Sequence, residues 1–338
     1  MKRTLKTLLL FILLPVLLLV VLTIGYLVRD PFKVLYHYED DSVYTLNLNR
    51  DFVSTELFIK YYPSEHYNSF VFGSSRAIGY NPDTWKKYLD VGDRPFMFDA
   101  SSENIYGIYY KLKLLDSYNV SIKNVLILAD ATKYFFKDYK DENSYLKRNH
   151  PATLGNSWID WVEFEKAHFD AYLKPRFLIS YYGYELFGID NKYTQLHRLR
   201  TNIQIQLPSN RLIAAGFEEY LIQKPQYFES DYFYQRPDNL LYLDPQIDEK
   251  TTTLLYEIKR IFDKHNTDYK IIINPMYNQI KLDLKDMTLL NDVFGTEKVY
   301  DFSGKNHFTE SKYNYYEIYH FRPIVGDSIM KVLYQDIE

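Results

Sequence analysis

Hydrophobic positions follow three different rules along this chain. From Leu8 to Val28 they are almost unbroken, an uncharged stretch of 21 residues dominated by leucine and valine. About 20 such residues span the hydrocarbon core as a helix. Lys2, Arg3 and Lys6 precede the stretch, and positive charge holds that end on the cytoplasmic side. The alternative is a cleaved secretory signal, whose apolar region is usually about 7–15 residues long and ends in a small-x-small site. No such site follows here, so the pattern predicts residues 1–7 as a cytoplasmic N-terminus and 8–28 as a single transmembrane anchor. Pro15 is tolerable in a membrane helix. The main body is then extracytoplasmic, periplasmic or on the cell surface.

From Pro31 to about Tyr67 no period is sustained, and residues 29–67 read as a stalk with packing strands. Beyond them short apolar runs alternate with helical spacing. Ser69 to Gly73, Phe96 to Asp99, Val125 to Ala129, Tyr269 to Ile273 and Lys298 to Asp301 are the runs. Asn81-Pro82-Asp83 opens a short helix, proline being suited to a first turn. Ile105, Ile108, Tyr109, Leu112 and Leu115 keep helical spacing, as do Leu254, Leu255, Ile258, Ile261 and Phe262, and Val325, Ile329, Met330, Leu333 and Tyr334. Strands alternating with helices predict an α/β domain over residues 68–338, with a parallel sheet covered on both faces. Ligands bind beyond the carboxyl ends of such strands. Each run ends there in small or polar residues: Gly73-Ser74-Ser75, Asp99-Ala100-Ser101, Asp130, Asn274 and Asp301. Residues from about 131 to 247 interrupt the alternation, too long for a simple crossover. They read as a large helical insertion that either shapes the site or embellishes the fold.

Composition narrows the partners. Of 40 basic and 44 acidic residues, four and one fall in residues 1–30, which leaves 36 against 43 and a net charge of −7 for the rest. That balance argues against nucleic acid, whose backbone requires an excess of basic charge. The absence of cysteine excludes disulfides, thiolate metal sites and a cysteine-lipidated N-terminus. Tyrosine is abundant, at 35 residues. It suits sugar rings, and equally ordinary core and interface use.

Two segments carry candidate chemistry. Val71-Phe72-Gly73-Ser74-Ser75-Arg76 reads as a buried strand entering a small-residue turn with two serines. Tyr315-Tyr316-Glu317-Ile318-Tyr319-His320 puts a carboxylate and an imidazole three residues apart, expected on one face of a helical turn. Together they supply a nucleophile, a base and a group to orient the base. The bland readings are a serine N-cap and a helical ion pair. His307 lies thirteen residues from His320, a gap that does not suggest zinc ligation, and His150, His168, His197 and His265 are scattered. No metal site and no cofactor is expected, and glycine-rich phosphate loops are absent.

These segments resemble the SGNH (GDSL-like) hydrolase superfamily, with Gly73-Ser74-Ser75 where Gly-Asp-Ser would stand and Glu317-x-x-His320 where Asp-x-x-His would. The flavour is that of membrane-anchored envelope members, such as the teichoic acid D-alanine-transfer protein and the alginate acetylation proteins. The resemblance covers roughly residues 68–130 and 268–336 and implies a flavodoxin-like three-layer α/β/α fold. It implies Ser75 as nucleophile, His320 as base and Glu317 as the group orienting it. Oxyanion donors would be the amides of Ser75 and Ser101, with Ser74, Asn104 and Asn274 lining the site. Arg76 either binds an anionic part of the substrate or pairs with a local acid. The third-strand block, Asp130-Ala131-Thr132, lacks the family's asparagine, and Asp130 is expected in a structural or capping role. The implied activity is a serine esterase or O-acyltransferase acting on acyl esters, acetyl above all, of cell-envelope glycans or an acylated carrier. The rival is a non-catalytic subunit that docks a membrane-bound acyltransferase or binds glycan.

Overall fold

A computed structural model describes residues 2–36, 44–46, 48–138, 145–191 and 198–335. The expected stalk therefore lies partly outside the described residues, as does His197. The chain opens with α1 (Lys2–Arg29), then β1 (Tyr44–Leu46), α2 (Arg50–Glu65), β2 (Ser69–Gly73), α3 (Pro82–Trp85), β3 (Pro95–Met97), α4 (Ile105–Ser117) and β4 (Asn124–Ala129). The insertion holds α5 (Pro151–Leu154), α6 (Trp158–Tyr172), α7 (Pro175–Phe187), β5 (Arg198–Gln206), β6 (Arg211–Ile213), α8 (Ala215–Gln223) and β7 (Leu241–Tyr242). The alternation resumes with α9 (Glu249–His265), β8 (Asp268–Ile273), β9 (Ile280–Lys281), α10 (Leu284–Phe294), β10 (Val299–Asp301) and α11 (His307–Glu310), and it closes with β11 (Tyr315–Glu317), β12 (His320–Phe321) and α12 (Pro323–Gln335).

The core is a five-stranded parallel sheet in the order β3-β2-β4-β8-β10. Its central strands are apolar on both sides because helices cover both faces. Phe70 and Phe72 of β2, with Val125 and Ile127 of β4, pack against α2, α4, α9 and α10. Val71, Leu126, Leu128 and Ile272 point the other way, against Trp85 and the α12 stripe Val325, Ile329, Met330 and Leu333. The α/β architecture with a parallel sheet expected from the alternation is thus present.

Two expectations need correction. The segment before Tyr67 includes a 16-residue helix, α2, where packing strands were expected; Asn49 caps it by accepting a hydrogen bond from the amide of Phe52. Its β-branched and aromatic residues and Pro63 have low helix propensity, so burial of Phe52, Val53, Leu57 and Phe58 stabilises it instead. The insertion is also not purely helical: β5 and β6 form an antiparallel pair that β1 extends.

The part of α1 from Phe11 to Arg29 is long and apolar enough to cross a membrane, and its side chains from Phe11 to Val21 are exposed. Protein contact begins near its end, where Tyr26 packs against Phe32, Phe169 and Tyr172.

Candidate active site

The Ser74-Ser75 turn is built by the end of β2. Gly73 lies so close to β4 that a Cβ there would sit 2.8 Å from Leu128 Cβ, so glycine is required where the strand exits. Ser74 then caps the 3-10 turn Ser75–Gly79, accepting from the amide of Arg76 at 3.4 Å and donating to Asp130 Oδ2 at 2.7 Å. Ser74 is therefore buried and committed to structure, while Ser75, the first residue of the turn, is half-buried at its edge.

Glu317 and His320 sit on a hairpin, a correction to the helical turn expected for residues 315–320. β11 and β12 pair antiparallel, with Glu317 opposite His320 across the two-residue turn Ile318-Tyr319. The physical reason is burial: Tyr315 and Phe321 sit in the core with the α12 stripe, and a register shift between Tyr315 and Glu317 leaves Glu317 and His320 half-buried at the rim. Aromatic and β-branched residues favour this extended form. Glu317 Oε2 accepts from the Tyr319 amide at 2.9 Å, which fixes the carboxylate, and its Oε1 bonds His320 Nδ1. His320 Nε2 lies 2.8 Å from Ser75 Oγ. With Nδ1–H donating to the carboxylate, Nε2 presents its lone pair to the Ser75 hydroxyl. Residues 245 positions apart are thereby in hydrogen-bond contact.

The other predicted residues divide. Ser101 shares with Ser75, Glu317 and His320 a cavity of 320 Å³. No protein acceptor takes the amide hydrogens of Ser75 or Ser101 among the described residues. Arg76 pairs with a local acid: its Nη1 is 2.8 Å from Asp130 Oδ2. Asn274 is fully buried, donates to Asp130 Oδ1 at 2.9 Å and accepts from the Tyr80 hydroxyl at 2.9 Å. Burial pushes the Tyr80 pKa well above its ordinary value, so its hydroxyl stays a neutral donor. Asp130 thus ties together Ser74, Arg76 and Asn274 at the carboxyl end of the sheet, and Asn274 supports the turn rather than lining the cavity. Asn104 caps α4, accepting from the amides of Tyr106 and Gly107, and lines a second cavity that Ser75 does not reach.

Sequence reasoning missed Arg50, on α2, which forms an ion pair with the buried Asp99 at the cavity wall. It also missed Ile203, Ile205, Leu212, Ala214 and Phe217, which the insertion brings over Ser75. Only the alternation Ile203, Ile205 within a polar run hinted at a half-buried strand. His150 and His168 are buried: His150 Nε2 contacts Glu56 at 2.9 Å, and His168 Nδ1 contacts the Phe164 carbonyl at 2.8 Å. No cluster of metal-ligating side chains occurs among the described residues. No protein-family model matches the chain, and no curated protein matches it.

Proposed function

We propose that the protein is a membrane-anchored extracytoplasmic serine esterase or O-acyltransferase of the SGNH type. The observation that carries this reading is the 2.8 Å contact between Ser75 Oγ and His320 Nε2, with Glu317 on the far nitrogen. Ser75 Oγ attacks the ester carbonyl carbon while its proton passes to Nε2. The oxyanion that forms is met by the free amides of Ser75 and Ser101. Collapse breaks the bond to the leaving oxygen, which takes the proton back from Nε2, and leaves the acyl group on Ser75. Water, or a hydroxyl of an envelope glycan or carrier, resolves that ester by the same steps in reverse. Support for the SGNH comparison comes from the strand order: the first sheet strand lies between the second and third, as in flavodoxin-like sheets, and Ser75 follows that first strand at its carboxyl end. The apolar helix at the N-terminus, with basic residues before it, supports the anchor and its orientation.

The test is labelling of the detergent-solubilised full-length protein by a fluorophosphonate probe. Labelling is expected in the wild type and absent in Ser75→Ala and His320→Ala. A wild type that stays unlabelled, or variants that label equally, would leave the rival docking-subunit reading in its place.

A further inference from the structure

The walls of the cavity beside Ser75 identify the acyl group. Leu48, Val53, Ile78, Ile205, Leu212 and Phe217 line it, and its surface is mostly apolar. Of the charged side chains lining it, Arg50 and Asp99 are committed to each other: Arg50 Nε donates to Asp99 Oδ2 at 3.0 Å, and Arg50 also donates to Asn210 Oδ1 at 3.1 Å. Arg50 Nη1 is a single buried donor without a partner among the described residues. A sugar ring placed there would leave most of its hydroxyls without partners, and each unmet buried hydroxyl is costly. The volume, 320 Å³, is also far larger than an acetyl methyl requires. Taking about 30 Å³ for each water-sized group, it holds on the order of ten methylenes.

We propose, resting on the esterase reading, that the site takes a medium-chain aliphatic acyl group, about eight carbons long, in the cavity formed by α2, β5, β6 and α8. The glycan or other hydroxyl partner then approaches from the open side of Ser75. Acetyl, the expectation from sequence, leaves this cavity unfilled. The insertion consequently acts as the specificity element: Ile203, Ile205, Leu212, Ala214 and Phe217 all come from it. Each methylene seated in an apolar pocket is worth about 10–200-fold in selectivity.

The experiment uses the full-length protein in nanodiscs, with 4-nitrophenyl esters of fixed leaving group and acyl chains from acetyl to dodecanoyl. Octanoyl is expected to exceed acetyl by about 100-fold or more in kcat/KM. Ala214→Phe and Leu212→Phe, which fill the cavity, are each expected to lower the octanoyl-to-acetyl ratio about tenfold or more, a ratio independent of how much protein folds. Fluorophosphonate labelling with acetyl preferred, or with a flat chain-length profile, overturns the acyl assignment and leaves the esterase reading standing. A stronger response to alkyl length in the alcohol, octyl acetate over methyl acetate, also overturns it by placing the chain on the leaving side. Neither labelling nor turnover of any ester removes the esterase reading and the acyl assignment with it.

Discussion

Asp130→Asn is the substitution that tests the architecture of the site most directly. Asp130 accepts from Ser74 at 2.7 Å, from Arg76 at 2.8 Å and from Asn274 at 2.9 Å, and its side chain is 3% exposed beside an Arg76 that is 12% exposed. An amide of the same shape offers one acceptor oxygen where the carboxylate offers two, so at least one of the three bonds is lost. The guanidinium is then left buried without its counter-charge. Removing one partner of a buried pair costs about 3–5 kcal/mol, mostly because the remaining charge is uncompensated. At about 2–4 °C per kcal/mol for a domain of this size, melting falls by on the order of 10 °C. Thermal unfolding of the full-length protein in nanodiscs measures it. Arg76→Met alone and combined with Asp130→Asn completes a double-mutant cycle. The double variant is expected to be more stable than the two single effects predict by at least about 1 kcal/mol, since neither charge is then stranded. Because Asp130 holds the turn through Ser74, probe labelling of Ser75 is expected to slow in parallel. A loss below about 1 kcal/mol for Asp130→Asn, or strict additivity in the cycle, refutes the reasoning that a buried charge cluster fixes this turn.

Three further predictions bear on other links. Glu317→Gln keeps the shape but removes the charge that stabilises the imidazolium, so ester turnover is expected to fall by about 10²–10⁴-fold with little change in melting; a loss under tenfold shows that the carboxylate is dispensable. Gly326→Ala places a Cβ against the carbonyl of Gly79, backbone that cannot yield, so α12 must move off the Ser75–Gly79 turn at a cost of about 1–3 kcal/mol; an unchanged melting temperature and labelling rate contradict that packing. Glu165 on α6 has its pKa pushed up to about 7, first by burial and then by the charge of Asp30. A carboxyl whose folded pKa is raised contributes stability that is complete below its ordinary pKa of 4.5 and is lost as pH rises through about 7. Discounted for its partial exposure to solvent, the effect is about 1–2 kcal/mol. Wild type is therefore expected to lose that much more stability than Glu165→Gln between pH 5 and pH 8, and parallel pH profiles of melting would contradict it.

Local pattern carried the strands well because parallel strands buried on both faces must be continuously apolar and must stop where the backbone meets solvent. Ser69–Gly73 and Asn124–Ala129 stand where the apolar runs predicted them. The helix over Arg50–Glu65 was hidden because its residues favour other conformations locally, and only the sheet beneath it makes the helix favourable. The Glu317–His320 spacing shows a different limit. Residues three apart face each other on a helix, and they also face each other across a two-residue hairpin, so the spacing alone cannot distinguish the two. The cavity walls were the least legible part, since α2 and the β5, β6 and α8 segment are distant in sequence and their register with the site arises only on folding.

Taken by itself, the sequence determined the apolar N-terminal helix, the parallel α/β core and the pairing of a serine turn with a late acid–histidine segment. These follow from periodicity and residue chemistry, which act within a few positions of the chain. Tertiary structure alone decided that Ser75 meets His320, that Asp130 gathers Arg76 and Asn274 into a support beneath the turn, and that the insertion encloses an apolar cavity. Each of those outcomes depends on contacts between segments tens to hundreds of residues apart, whose geometry is set by packing against a common sheet and not by any local preference.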